Sequence, residues 1–218
     1  MTLSKILFTR PVVFLLASLS FACLLGEFYN LWPMRAFACW ALLPATALLI
    51  GIAIASQRRP DKYGNAAATW IIEGALGGVI AACAYDLFRV PFVLSGFPLF
   101  KVFPMFGQML LGTNTADFSW PVQVVGWTYH FSNGAALGIM FLAMLPRVPG
   151  RFVVVGAVLW AMCVEAILLM TPYATFFKIA MSYSTFIALT VSAHLIFGVT
   201  LGWWCRRRLA GRNLLATV

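Results

Sequence analysis

The chain has little charge. Only 10% of its 218 residues are Asp, Glu, Lys or Arg, against about 25% in an average soluble domain. That scarcity excludes a water-soluble globular domain. Acidic residues are scarcer than basic ones: there are six, against fifteen Lys and Arg, with two His besides. Two histidines are too few for a multi-histidine di-iron site. The five cysteines (Cys23, Cys39, Cys83, Cys163, Cys205) include no CxxC pair and read as small core hydrophobes, not as a disulfide framework. HExxH, GxSxG and a phosphate-binding glycine loop are all absent, which removes the usual signatures of zinc peptidases, serine hydrolases and nucleotide-binding proteins. No low-complexity segment is present.

Apolar sequence fills the space instead. Hydrophobic residues make up 62% of the chain and the mean hydropathy is +0.92. Apolar runs long enough to cross a bilayer imply spans at about 11–29, 38–56, 67–90, 152–172 and 184–205. A sixth, about 121–145, fits a span although it contains His130 and Asn133. The expected fold is an all-α integral membrane protein, one transmembrane domain over residues 1–218 with six helices and both termini cytoplasmic. Lys5 and Arg10 ahead of an apolar stretch, with Ser20-Phe21-Ala22 behind, resemble a signal sequence. The expectation is an uncleaved first span.

Residues 91–120 are apolar but carry Pro91, Pro98 and Pro104, Gly96 and Gly107, and Lys101. Three prolines break a regular helix. The segment is therefore expected as an interfacial or re-entrant stretch on the outer face, between the third and fourth spans. Phe92, Phe97, Phe100, Phe103 and Phe106 would lie at headgroup depth or over the bundle. Irregular backbone at membrane depth is tolerated only under protein or beside water.

The net charge of +9 follows membrane orientation. In the six-span topology Lys5, Arg10, Arg58, Arg59, Lys62, Arg147, Arg151, Arg206, Arg207, Arg208 and Arg212 fall inside, and only Arg35, Arg89, Lys101 and Lys178 fall outside. This positive-inside bias explains the basic balance without a nucleic-acid partner. Trp32, Trp40 and Trp120 near the outer interface, with Trp70, Trp203 and Trp204 near the inner one, form the matching aromatic belts. A plasma or inner cell membrane is the expected location, with the lipid bilayer as the first partner.

Four stretches share one pattern, an ionisable residue at the end of a stripe of small residues spaced by four: Gly74-Gly78-Ala82-Asp86, Ala157-Ala161-Glu165, His130-Gly134-Gly138 and His194-Gly198-Gly202. Small residues at that spacing let helix backbones approach closely in lipid. An ionisable group on the same stripe then points into the bundle, where its burial is costly and tied to function. Two of these helices run outward and two inward, yet all four ionisable ends fall in the outer half. One polar pocket follows, with Asp86, Arg89, His130, Asn133, Glu165 and His194 as candidate binding residues. Arg89 follows Asp86 by three residues and can pair with it on one helix face. Tyr85, Cys83, Tyr129 and Thr190 lie near enough to extend the network.

Each element has a plainer alternative. A histidine on an apolar helix can be a satisfied core residue, Arg89 can snorkel to headgroups, and Cys83 can simply pack. Glu27 and Glu73, near interfaces, read as structural. The segments 73–78 and 133–138 echo one another, either as a repeat or as two helices meeting one packing need.

Three functions compete. The favoured one is binding or transport of a small solute, ion or proton from the outer face. The second is a metal-dependent membrane enzyme with His130, His194, Glu165 and Asp86 as ligands to a transition metal such as zinc or iron. Bis-histidine haem is a variant for which the glycine stripes leave little room. The third is an accessory subunit, with a membrane-protein partner or further copies of itself, in which the polar network is structural.

Overall fold

The computed structural model describes residues 8–58, 62–145 and 149–210, and among these the fold is all-helical. Helix α1 spans Arg10–Phe28 and α2 Met34–Gln57. Helix α3 runs Lys62–Leu94, α4 Val102–Leu111 and α5 Trp120–Met144. Helix α6 covers Gly150–Leu169, α7 is the single turn Tyr173–Phe176, and α8 is Tyr183–Ala210. Among the described residues five helices are long and apolar enough to cross a membrane: α1, α2, α3, α6 and α8. Helix α5 is as long, with 25 residues, but Gln123, His130, Ser132 and Asn133 dilute its hydropathy and it falls outside the five.

The expected break at Pro91 does not occur there. Helix α3 continues through Pro91 to Leu94. A proline lacks one amide donor, and near a helix end that loss is tolerated. The turn comes at Gly96, whose φ of +95° suits a residue without a Cβ. Residues expected to be irregular also form α4, with Pro104 in its first turn. In α2 a π-turn at Ala38–Leu42 precedes Pro44 and shifts the hydrogen-bond register around the missing donor.

Two antiparallel helix pairs make the core. In the first, the stripe Gly74-Gly78 of α3 lies against Gly134-Gly138 of α5. A Cβ on Gly78 would sit 2.0 Å from the Gly134 carbonyl oxygen, and one on Gly138 would sit 2.1 Å from the Gly74 carbonyl oxygen. In the second pair, Gly198 and Gly202 of α8 lie against α6: their Cβ atoms would fall 2.7 Å from Val158 Cα and 2.6 Å from Val154 Cα. The two sequence segments that echo one another are thus the two faces of a single interface. Between the pairs, contact is through side chains: Gly77 faces the Trp204 ring, and Trp160 Nε1 donates to the Leu137 carbonyl oxygen at 3.2 Å.

Helices α1 and α2 pack on the first pair. Glu27 accepts the Met34 amide at the start of α2, which gives one orphan donor of that helix a charged partner. At the opposite end of the bundle Arg208 takes both carboxylate oxygens of Glu73, at 3.0 and 3.2 Å, and Arg10 lies over the Trp70 ring. Of the basic residues expected on the inner side, Lys5, Arg59, Arg147 and Arg212 lie outside the described residues.

Candidate functional site

Beyond the last small residue of each stripe the helices carry larger side chains and the pairs part. Asp86 lies one turn past Ala82 and His130 one turn before Gly134. In antiparallel helices those positions face each other, and His130 Nε2 lies 2.8 Å from Asp86 Oδ2. The second pair repeats the arrangement. Glu165 lies one turn past Ala161, His194 one turn before Gly198, and His194 Nδ1 lies 2.9 Å from Glu165 Oε2. Each helix pair therefore carries one carboxylate–histidine contact beyond its small-residue stripe, and both contacts lie in the same half of the bundle. Tyr85 stands between them, its ring centroid 6.3 Å from that of His130 and 5.1 Å from that of His194.

Asp86 serves two partners. Its Oδ1 accepts from Arg89 Nη1 at 3.3 Å, while Arg89 Nη2 donates to the Leu99 carbonyl oxygen at 2.6 Å. Arg89 does not reach out to headgroups. It is 5% exposed, with Tyr85, Phe100 and Phe103 around its guanidinium at 4.9–5.6 Å. A guanidinium buried among rings is held by cation–π attraction as well as by its ion pair. The carboxylate of Asp86 only accepts, so His130 Nε2 carries a hydrogen.

His194 is oriented differently. Its Nδ1 donates to the Thr190 carbonyl oxygen at 2.9 Å, and the contacts described leave Nε2 unengaged. That same Nδ1 hydrogen faces Glu165, but it is aligned on Thr190. The 2.9 Å contact with Glu165 is therefore one of ion-pair distance without hydrogen-bond geometry, and neither carboxylate oxygen of Glu165 meets an aligned donor among the described residues. Glu165 is 2% exposed.

A cavity of about 110 Å³ opens between the two histidines. Arg89, His130, Asn133, His194 and Tyr85 supply its polar wall, with Phe21, Phe103, Phe106, Tyr173 and Phe197 around them. Asp86 and Glu165 do not border it; each stands behind a histidine. Asn133 is fixed to α1, its Oδ1 accepting from Ser20 Oγ at 2.6 Å. Tyr129 OH donates to the Ser20 carbonyl oxygen at 2.8 Å and braces the same junction. Helix α4 covers the cavity end because Gly107 and Gly126 allow it to touch α5: a Cβ on Gly126 would lie 1.8 Å from the Phe103 carbonyl oxygen. Phe106 then meets Phe177 at 5.4 Å, and Phe28, Tyr173 and Phe176 complete an aromatic roof. Burial pushes the Tyr173 phenol above its ordinary range.

All six residues expected at the site are near it, with Arg89, His130, Asn133 and His194 on the cavity wall and Asp86 and Glu165 behind. The four expected metal ligands His130, His194, Glu165 and Asp86 do not form one ligand set. They segregate into two pairs, one on each helix pair, and among the described residues no three His, Cys, Asp or Glu side chains group to hold a metal. Cys83 is exposed and takes no part. Sequence reasoning missed Tyr173 as a cavity residue, and Phe103 and Phe106, expected at headgroup depth or over the bundle, line the cavity wall. Gly107 and Gly126, spaced to pair α4 with α5, were the available signal.

The chemistry on offer is acceptance and donation of hydrogen bonds by two oriented imidazoles beside an apolar wall. No protein-family model, no curated protein and no solved structure matches the chain.

Proposed function

We propose that this protein is a six-span membrane protein that binds a small solute in the cavity between α3, α5, α6 and α8 and passes it across the bilayer. The observation that carries the reading is the cavity itself, set between two histidines that are each oriented from behind and each keep one ring nitrogen unengaged by the contacts described. Small-molecule sites combine an apolar wall with a few placed polar groups, and this wall has both. A volume of about 110 Å³ leaves room for roughly three to four water-sized groups, so the ligand is small.

Topology supports the sixth span. Helix α5 is antiparallel to α3 and packs on it by backbone contact along their small-residue stripes. With α5 counted, Arg10, Arg58, Arg207 and Arg208 share one side, the cytoplasmic side by the charge rule. The histidine end then faces outward, under α4 and the aromatic roof. The protein is accordingly assigned to a plasma or inner cell membrane, with both termini cytoplasmic.

The test is uptake into proteoliposomes across a panel of small polar solutes, run on the wild type, His130→Ala and Val164→Phe. Val164 lines the cavity, and phenylalanine there fills it. Uptake of at least one solute, lost in both variants while gel filtration and helix content are unchanged, is expected. Equal uptake by all three proteins of every solute that moves defeats the reading.

A further inference from the structure

Glu165 is the buried charged group for which the cavity reading supplies no role. It is 2% exposed, and its carboxylate oxygens meet no aligned donor among the described residues. A carboxylate in that position is costly in lipid unless something neutralises it. The neighbouring cation is committed elsewhere, since Arg89 is engaged by Asp86 and the Leu99 carbonyl. His130 is held by Asp86. From α3 the groups facing Glu165 are Tyr85, Asp86 and Arg89; α7 contributes Tyr173, α8 contributes Thr190 and His194, and α5 contributes His130 and Asn133 across the cavity. With neutral imidazoles, Asp86, Arg89 and Glu165 sum to one uncompensated negative charge. One hydrogen on His194 Nδ1 faces two acceptors, so the set is one proton short.

Among the described residues, a route to Glu165 for the missing charge runs through His194. Glu165 does not border the cavity; Ala161, Val164 and Leu168 of its own helix do. His194 does border it, and its ring spans the gap between the cavity and the carboxylate. A metal ion or organic cation has no such route, whereas a proton can cross an imidazole. We propose that Glu165 is a proton-binding site loaded from the cavity through His194. A hydronium in the cavity gives its proton to His194 Nε2 and leaves as water, the ring turns its Nδ1–H from the Thr190 carbonyl onto Glu165 Oε2, the Nδ1–H bond breaks, and that hydrogen forms an O–H bond on Oε2. The carboxylate becomes a carboxylic acid and the ring returns to neutral as its other tautomer. Release runs the same bonds in reverse. The inference deepens the solute-site reading by naming its coupling ion, and it rests on that reading for the coupling alone. Proton binding is tested with no solute present.

The experiment is infrared difference spectroscopy of the full chain in lipid nanodiscs, titrated from about pH 9 to about pH 4, which spans the ordinary histidine and glutamate values. The wild type is expected to gain a protonated-carboxyl C=O band that Glu165→Gln removes and Asp86→Asn keeps. In His194→Ala the band forms at least about tenfold more slowly after a pH jump. Should Glu165→Gln not fold, carbon-13 glutamate labelling of Glu27→Gln and of Glu73→Gln assigns the band, because the chain has only Glu27, Glu73 and Glu165. A band that survives Glu165→Gln, that is unmoved by the label, or that is missing from the wild type overturns the proposal. Should solute uptake persist after such a result, the proton site alone has failed. Should the band behave as expected while no solute moves, the solute reading alone has failed.

Discussion

Gly78→Ala is the sharpest test of how the site is built. A Cβ at Gly78 would lie 2.0 Å from the Gly134 carbonyl oxygen, where ordinary contact begins at 3.4 Å. The obstacle is backbone, so α3 and α5 must separate by about 1.4 Å at that level. Asp86 lies two turns further along α3, about 12 Å away at 1.5 Å per residue, and His130 one turn from Gly134. Widening of that size carries their 2.8 Å contact past hydrogen-bond range. Overpacking costs about 1–3 kcal/mol, and the lost hydrogen bond about 0.5–1.5 kcal/mol. The expected destabilisation is therefore about 2–4 kcal/mol, measured by reversible unfolding in mixed lipid–detergent micelles. Gly134→Ala is expected to be milder, since its nearest obstacle is the Ala82 methyl group at 2.8 Å. Gly51→Ala is the control, with nothing within 4 Å of its Cβ, and it should be neutral or slightly stabilising. A loss below about 0.5 kcal/mol for Gly78→Ala, or one equal to that of Gly51→Ala, refutes the close-packing argument.

Other outcomes follow from the same geometry. Asp86→Ala strands the buried Arg89 guanidinium and is expected to cost about 3–5 kcal/mol in the same unfolding assay, with much of it recovered by adding Arg89→Gln. Gly126→Ala drives α4 off α5 through the Phe103 carbonyl and should speed trypsin cleavage at the exposed Lys101 while helix content holds. Arg208→Gln should destabilise the chain more than Arg207→Gln, because Arg208 takes both oxygens of the buried Glu73 whereas Arg207 stacks on the exposed Trp203. In the loop before α5, Asp117 accepts the Ser119 amide at 2.9 Å, and hydrogen bonds from Ser119 hold its carboxyl below the ordinary range. A lowered value contributes stability above the ordinary carboxylate range and loses it as pH falls through the lowered value. The stability gap between the wild type and Asp117→Asn should therefore be present at neutral pH and close in acid.

Much of the site was legible because both its ingredients leave periodic traces. Small residues every fourth position on α3, α5, α6 and α8 marked the close contacts, and the ionisable residue ending each stripe fell in one half of the bundle. The pairing was not legible. Nothing in the spacing says that Asp86 meets His130 and Glu165 meets His194; that follows from which helices are partners, a tertiary fact. A metal site stood among the alternatives because four ligand-type residues at one depth look like one cluster, whereas two helix pairs keep them as two. The helical backbone through Leu94 and over Val102–Leu111 was not legible, for a local reason. Proline removes one donor, and three neighbouring prolines suggest irregular backbone, yet Pro91 near the end of α3 and Pro104 in the first turn of α4 both occupy positions that tolerate the loss.

The distribution of close backbone contacts has a mechanical consequence. Within α3/α5 and within α6/α8, main chain touches main chain, and no side chain can rotate to relieve a shift. Between the two pairs the touching groups are rings and flexible side chains: Trp204 on Gly77, Tyr85 on His194, Trp160 on the Leu137 carbonyl. Each pair is thus a stiff lever with one carboxylate–histidine contact beyond its small-residue stripe, and the compliant seam runs between the levers. The cavity sits in that seam. A small rocking of one lever against the other alters its width at the cost of side-chain rearrangement alone, and the acid–imidazole contacts travel with their own lever unbroken.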